Sequence, residues 1–183
     1  MASARLEWTS VPRWTPPELP AAASYLACWF GDEAGRRARA LLAGAGPDVP
    51  VRIAGFADRW DTEAEAGLRR LIGACHTGVR VILAGPESIV MRSLAVAREL
   101  GATDEELVPV AIEAVAAGPG GYITGLAGRR IFCAGCRSSF DAVAALGSTV
   151  ACPGCAAELF VDRRFSRPHA AYFGWPAGLD LHQ

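Results

Sequence analysis

The chain has 183 residues, 51% of them hydrophobic, and sets eighteen Arg against nineteen acidic residues for a net charge of −1. These values exclude a disordered chain and a strongly basic nucleic-acid binder, and the length holds one ordinary domain plus a small appended module. Lys and Asn are both absent, which removes a P-loop lysine, a Schiff-base lysine and a catalytic Asn. Any histidine-based catalytic set would have to use His76, His169 or His182, and the sequence assembles none around them.

Residues 1–20, with Pro12, Pro16, Pro17 and Pro20 among Trp8 and Trp14, cannot form a regular helix and read as an extended arm whose two Trp pack on the body of the protein. From Tyr25 strands and helices alternate. Tyr25–Phe30 is a buried strand, and Asp32 caps a helix that runs to about Ala43 and ends at Gly44. Pro50–Phe56 is a second strand. Asp61 or Thr62 then opens a helix with Ala66, Leu68, Leu71 and Ile72 on its apolar face and Gly73 near its end. Val79–Ala84 is a third strand, Pro86–Leu100 a third helix closed by Gly101, and Leu107–Ile112 a candidate fourth strand that Pro109 places at a sheet edge or makes irregular. This order predicts an α/β fold over residues 21–117, a small three-layer domain with a mainly parallel sheet. A Gly-rich linker over 118–128 follows, and residues 129–183 form the second module.

No apolar run approaches transmembrane length, and the Ala21–Phe30 patch follows a Pro-rich segment with no cationic stretch close before it; the expected location is the cytoplasm.

The second module is built on Cys133-Ala-Gly-Cys136 and, fifteen residues later, Cys152-Pro-Gly-Cys155. Each pair forms a knuckle offering two sulfurs, and four thiolates complete a tetrahedron, so Cys133, Cys136, Cys152 and Cys155 are assigned to a structural zinc in a zinc ribbon. Iron in a rubredoxin-like site, or an iron–sulfur cluster, uses the same ligands. Two disulfides would require an oxidising compartment. Gly135 and Gly154 precede the second cysteine of each pair and are expected to supply positive φ, with short strands at Arg130–Phe132 and Glu158–Asp162 flanking the knuckles. His169 is left out of the ligand set because four cysteines already fill it.

Gly85-Pro86-Glu87 lies where a parallel strand enters a helix, the place at which α/β sheets bind ligands, so Gly85 and Pro86 are the candidate cofactor contacts. Val81-Ile-Leu-Ala-Gly-Pro86, with the following helix through Gly101 and Asp104-Glu-Glu-Leu107, resembles the last strand-helix-strand part of the nicotinamide-binding domain of ferredoxin-reductase-like proteins. In that family the strand ends in Cys-Gly-Pro, and here Ala84 stands in place of the Cys. The Gly-rich loop is reduced to Phe30-Gly-Asp-Glu-Ala-Gly35, where Asp32 and Glu33 would repel a pyrophosphate. The resemblance implies a fold kept while its cofactor site was lost.

A second resemblance covers nearly the whole chain. The four-cysteine ribbon followed by a Phe165-Ser-Arg and Ala-Tyr-Phe-Gly tail that leaves it, with Thr9-Ser-Val-Pro-Arg-Trp14 and the Ala-Gly-Pro-Glu turn, is similar to the dimethylamine monooxygenase A-subunit (DmmA-like) family. Pro168 replaces a residue that tends to be basic in relatives. The resemblance implies an accessory, non-catalytic subunit of an NADPH- and O2-dependent complex that oxidatively demethylates dimethylamine or a similar secondary amine. It would dock a reductase carrying FMN and a 2Fe-2S cluster to a haem-dependent oxygenase, with Phe165, Arg167, Tyr172 and Trp175 as the contact surface. The alternatives are a nucleic-acid-binding zinc ribbon, disfavoured by the weak charge, and a reductase that itself binds NAD(P)H.

Overall fold

In a computed structural model residues 10–14, 18–113 and 121–177 are described, and the chain divides into two compact units, Trp14–Val115 and a second formed by Met1–Arg13 with Ala116–Gln183. Trp8, Pro16, Pro17, Gly118 and His182 lie outside the described residues.

The first unit contains strands β1 (Ser24–Phe30), β2 (Val51–Phe56), β3 (Val79–Gly85) and β4 (Leu107–Ala111), with helices α1 (Asp32–Leu42), α2 (Thr62–Gly73) and α3 (Glu87–Glu99) between them. All strand pairs are parallel, in the order β2-β1-β3-β4. Alternation along β1 splits its side chains between two layers. Tyr25, Ala27 and Trp29 pack with Ala34 and Ala38 of α1, whereas Phe30 packs with Ala64 of α2 and Ile89 of α3. The three-layer parallel domain expected from the alternation is therefore present. Pro109 sits on the edge strand β4, where its missing N–H breaks no ladder.

Local details differ from the expectation. Asp32 is the first helical residue rather than the cap; Gly31, at φ 85, takes the cap position and makes no side-chain hydrogen bond. Asp61 does cap α2, accepting from the Ala64 amide at 2.9 Å. Ala66 is exposed, and the buried face of α2 is Ala64, Gly67, Leu68 and Ile72, because the sheet meets the helix one position away from the face chosen by hydrophobicity alone. Strand β2 is the second edge, and most of its residues, Val51 and Ile53 among them, are exposed. Trp14, of the expected arm, is buried, and its indole N–H donates to Glu87 Oε1 at 3.4 Å.

Cys28 on β1 is fully buried, and desolvation pushes its thiol from 9.0 up to about 12. Below pH 9 the thiol is protonated in the folded and unfolded chain alike. Above it the unfolded chain releases the proton and the folded one keeps it, so stability falls between about pH 9 and 12, by about 1.4 kcal/mol per unit. The urea midpoint of the α/β unit is expected to drop more between pH 8 and pH 10.5 in the native sequence than in Cys28→Ala; equal drops would refute the assignment.

The second unit is a five-stranded sheet of β5 (Ala127–Cys133), β6 (Ser139–Ala144), β7 (Thr149–Ala151), β8 (Glu158–Ser166) and β9 (Ala171–Pro176), ordered β6-β5-β9-β8-β7. The segment expected to leave the ribbon as a tail is its central strand. Strand β9 runs parallel to β5, with Phe132 opposite Phe173, and antiparallel to β8, with Val161 opposite Gly174. It thereby joins two hairpins, each of which ends in one cysteine knuckle. A Cβ at Gly174 would stand 2.8 Å from Ile131 and 2.9 Å from Leu159, so only glycine lets the three strands close here.

Residues at both ends of the expected arm and linker complete this unit. The Phe165 amide donates to Ser10 Oγ at 2.6 Å, and Arg13 Nε donates to Tyr122 Oη at 2.7 Å. Tyr122 and Ile123 are buried, and Arg129 is wholly buried. The Arg129 guanidinium donates to the carbonyls of Gly125, Ala144 and Ile123 and lies 5.4 Å from the Tyr172 ring centre. One cation thus ties the chain before β5 to the end of β6.

Candidate metal centre

The two knuckles are near copies of one another. In the first, the Cys133 amide donates to Ser138 O at 2.9 Å and the Arg137 amide to Cys133 O at 2.8 Å; in the second, Cys152 donates to Ala157 O and Ala156 to Cys152 O, both at 2.8 Å. The backbone closes through a left-handed residue after the second cysteine, Arg137 at φ 61 and Ala156 at φ 58. Positive φ therefore falls there, not on Gly135 and Gly154 as expected. Gly154 answers a need for space instead: a Cβ would stand 3.0 Å from Ser138 Oγ and 3.4 Å from Cys136 Sγ.

The four sulfurs lie within 4.8 Å of one another, with Cys136 Sγ 3.6 Å from Cys152 Sγ and Cys133 Sγ 3.9 Å from Cys155 Sγ. Metal–sulfur bonds of about 2.3 Å place the corners of a tetrahedron about 3.8 Å apart, whereas a disulfide would bring sulfurs to about 2.05 Å. All four are free thiols at tetrahedral spacing, so the donor set fits one metal ion. Cys133 and Cys152 are buried, while Cys136 and Cys155 face solvent.

The electrostatics also match a cation. The Ser138 hydroxyl and amide lower the Cys136 thiol. Burial raises Cys152, but the Gly154 and Cys155 amides with the Ser138 hydroxyl outweigh it and bring the thiol down to about 6. At Cys155 the Ala157 amide favours the thiolate, yet the neighbouring sulfurs of Cys152, Cys136 and Cys133 together with burial push it up to about 11. The set ionises part-way and then resists further negative charge, a repulsion that a divalent ion removes. The site sits at the end of the sheet where β9 crosses between the knuckles, and the Ala134 amide donates to Gly174 O at 2.9 Å.

Residues 130–175, from β5 to β9, match the family model for the dimethylamine monooxygenase subunit DmmA-like, C-terminal domain. This segment is a DmmA-like C-terminal domain. Neither a curated protein nor a solved structure matches the chain.

Within the DmmA-like domain the four residues expected to form a contact surface separate. Phe165 and Tyr172 are buried, with ring centres 5.0 Å apart, and belong to the core between β8 and β9. Arg167 is exposed and Trp175 half-buried, its indole N–H donating to Asp162 Oδ2 at 3.0 Å. Alternation along the strands decides this: residues odd and even in β9 face opposite ways, and sequence motifs do not reveal which way is in. The outward row holds Phe173 stacked on Trp175 at 5.6 Å, Phe132 edge-on to Phe173 at 5.9 Å, and His169 stacked on Phe132 at 4.5 Å. Phe160, opposite Trp175, is 38% exposed. His169 is therefore a ring in this row and stands outside the sulfur cluster.

Gly85 and Pro86 lie at the end of β3, on the crevice between β1 and β3 where the connections turn in opposite directions. Two acids of the chain itself lie at the loops of this sheet end. Glu113 Oε2 accepts from the Glu87 amide at 3.0 Å, taking the place at the start of α3 that an anion would use, and Asp58 packs so closely on Gly31 that a Cβ there would lie 2.9 Å from its own. Glu33 pairs with Arg36 and Arg37, which hold its carboxyl below its ordinary value. Asp58 and Glu113 carried no motif in the sequence; their positions depend on loops meeting at one sheet end.

Proposed function

We propose that the chain is an accessory, non-catalytic subunit of a multicomponent monooxygenase that uses NADPH and O2 to demethylate dimethylamine or a similar secondary amine. The match of residues 130–175 to the DmmA-like C-terminal domain is the observation that carries this reading. The ion held by Cys133, Cys136, Cys152 and Cys155 is structural zinc: a closed four-thiolate site leaves no open position for substrate, and zinc has no redox role. Electrons pass between partners, from a reductase carrying FMN and a 2Fe-2S cluster to a haem-dependent oxygenase, and this chain docks one to the other from the cytoplasm.

The docking surface on this reading is the outer face of the DmmA-like sheet, where Phe132, Phe160, Phe173 and Trp175 form an aromatic row beside Arg164, with the exposed Arg167 as a further contact. Exposed aromatic side chains anchor interfaces with little loss of side-chain freedom. Phe165 and Tyr172 support the row from inside. The α/β unit keeps a nucleotide-binding architecture without the site, since Glu113 places a carboxylate on the Glu87 amide, next to Gly85 and Pro86, where a pyrophosphate would bind.

Co-purification of the full chain from its native host, with metal analysis, tests this. The expected result is one zinc per chain and the recovery of a flavoprotein and a haem protein, with both partners reduced in yield by Trp175→Ala combined with Phe173→Ala. Recovery of neither partner overturns the proposal. Saturable micromolar NADPH binding by the purified chain would favour a reductase, and salt-dependent binding to DNA or RNA a nucleic-acid ribbon.

A further inference from the structure

The two knuckles differ at three equivalent positions, Ala134/Pro153, Arg137/Ala156 and Ser138/Ala157, and the last of these differences touches the metal ligands. Ser138 follows Cys136 by two residues, and Ala157 follows Cys155 by two. Each contributes a backbone amide to the solvent-facing sulfur of its own knuckle, but only Ser138 adds a hydroxyl. Its Oγ lies 3.0 Å from Cys136 Sγ and 3.7 Å from Cys152 Sγ, so it reaches from the first knuckle toward the second. Gly154 leaves the space for it, since a Cβ there would crowd the oxygen to 3.0 Å.

The direction of this hydrogen bond is fixed once a metal binds. Metal-bound cysteines are thiolates with no proton to give, so the Ser138 hydroxyl must donate, and the shorter distance sends its proton to Cys136. A hydrogen bond to a thiolate withdraws electron density from the sulfur and holds it in place. Cys155 is equally open to solvent and has no such hydroxyl from its own knuckle.

We propose that Ser138 makes the two solvent-facing ligands unequal, protecting Cys136 and leaving Cys155 as the thiolate at which electrophiles attack and from which the metal is lost. This rests on the structural-metal reading above. It assigns Ser138 as a positioning residue outside the ligand set and Cys155 as the modification-prone ligand.

The test uses the full chain with its metal, treated with N-ethylmaleimide at less than one equivalent, and reads each cysteine by peptide mass spectrometry alongside the rate of zinc transfer to a chromogenic chelator. Native protein is expected to be alkylated at Cys155 ahead of Cys136 by about tenfold. Ser138→Ala should erase that ratio and speed zinc transfer by about tenfold. Ala157→Ser leaves Ser138 in place and installs the missing hydroxyl, so it should slow attack at Cys155 and remains informative should Ser138→Ala fail to fold. Equal alkylation of Cys136 and Cys155 in the native protein, or a ratio that neither substitution moves, overturns the inference while the metal reading stands. A native chain that binds no metal even after reconstitution with zinc overturns both.

Discussion

Cys152→Ser in the full chain is expected to abolish zinc binding and to unfold the DmmA-like sheet while the parallel sheet of the α/β unit stays intact. Cys152 is buried, its amide closes the second knuckle on Ala157 O, and its sulfur faces Cys136 at 3.6 Å, so its loss leaves a three-ligand site. The five-stranded sheet is small, with no helix beside it among the described residues, and structural zinc in such modules contributes about 10–16 kcal/mol, more than an ordinary domain's whole stability. Hydrogen exchange should show protection lost across Ala127–Pro176 and kept across β1 and β3, with elemental analysis falling from one zinc to none. Retained protection in β5, β8 and β9 of the metal-free variant would mean that packing alone holds the sheet.

The second large effect is expected from Arg129→Met. Methionine keeps most of the apolar stem but removes the guanidinium, leaving the carbonyls of Gly125, Ala144 and Ile123 inside the unit without this donor. An unsatisfied buried acceptor costs about 1–3 kcal/mol, so the substitution should destabilise the DmmA-like unit by about 3 kcal/mol or more, read as a lowered unfolding midpoint with zinc still bound. Lys is not expected to rescue it, because a single ammonium cannot reproduce a planar fork aimed at carbonyls on both sides of a strand. A change under about 1 kcal/mol would show that water replaces the guanidinium.

Several features were legible because they depend on neighbours in sequence. The alternation of apolar runs with capped helices set out the three-layer parallel unit, and Pro109 marked an edge strand through its missing donor. Cysteine spacing alone defined the four-sulfur cluster, since each knuckle is a local turn and four thiolates satisfy a tetrahedron. The family resemblance agreed with the later match over residues 130–175.

Other features were decided by residues far apart in the chain. Insertion of β9 between β5 and β8 turned an apparent tail into the central strand, and the side of the sheet that each residue occupies then sent Phe165 and Tyr172 inward and Phe173 and Trp175 outward. Glu113 reaches the Glu87 amide beside Gly85 and Pro86 from a distant part of the chain, a contact that local sequence there does not foretell. Arg129, which carries no distinguishing mark in the sequence, is a buried clamp because three carbonyls from two segments, the chain before β5 and the end of β6, converge on it. The cysteine pattern by itself determined that a metal ion fits this protein and which four sulfurs could hold it, for a knuckle's geometry is complete within a few residues. The tertiary structure alone decided which side chains surround that site and which reach solvent, because strand pairing brings together residues whose separation in the sequence leaves no local trace.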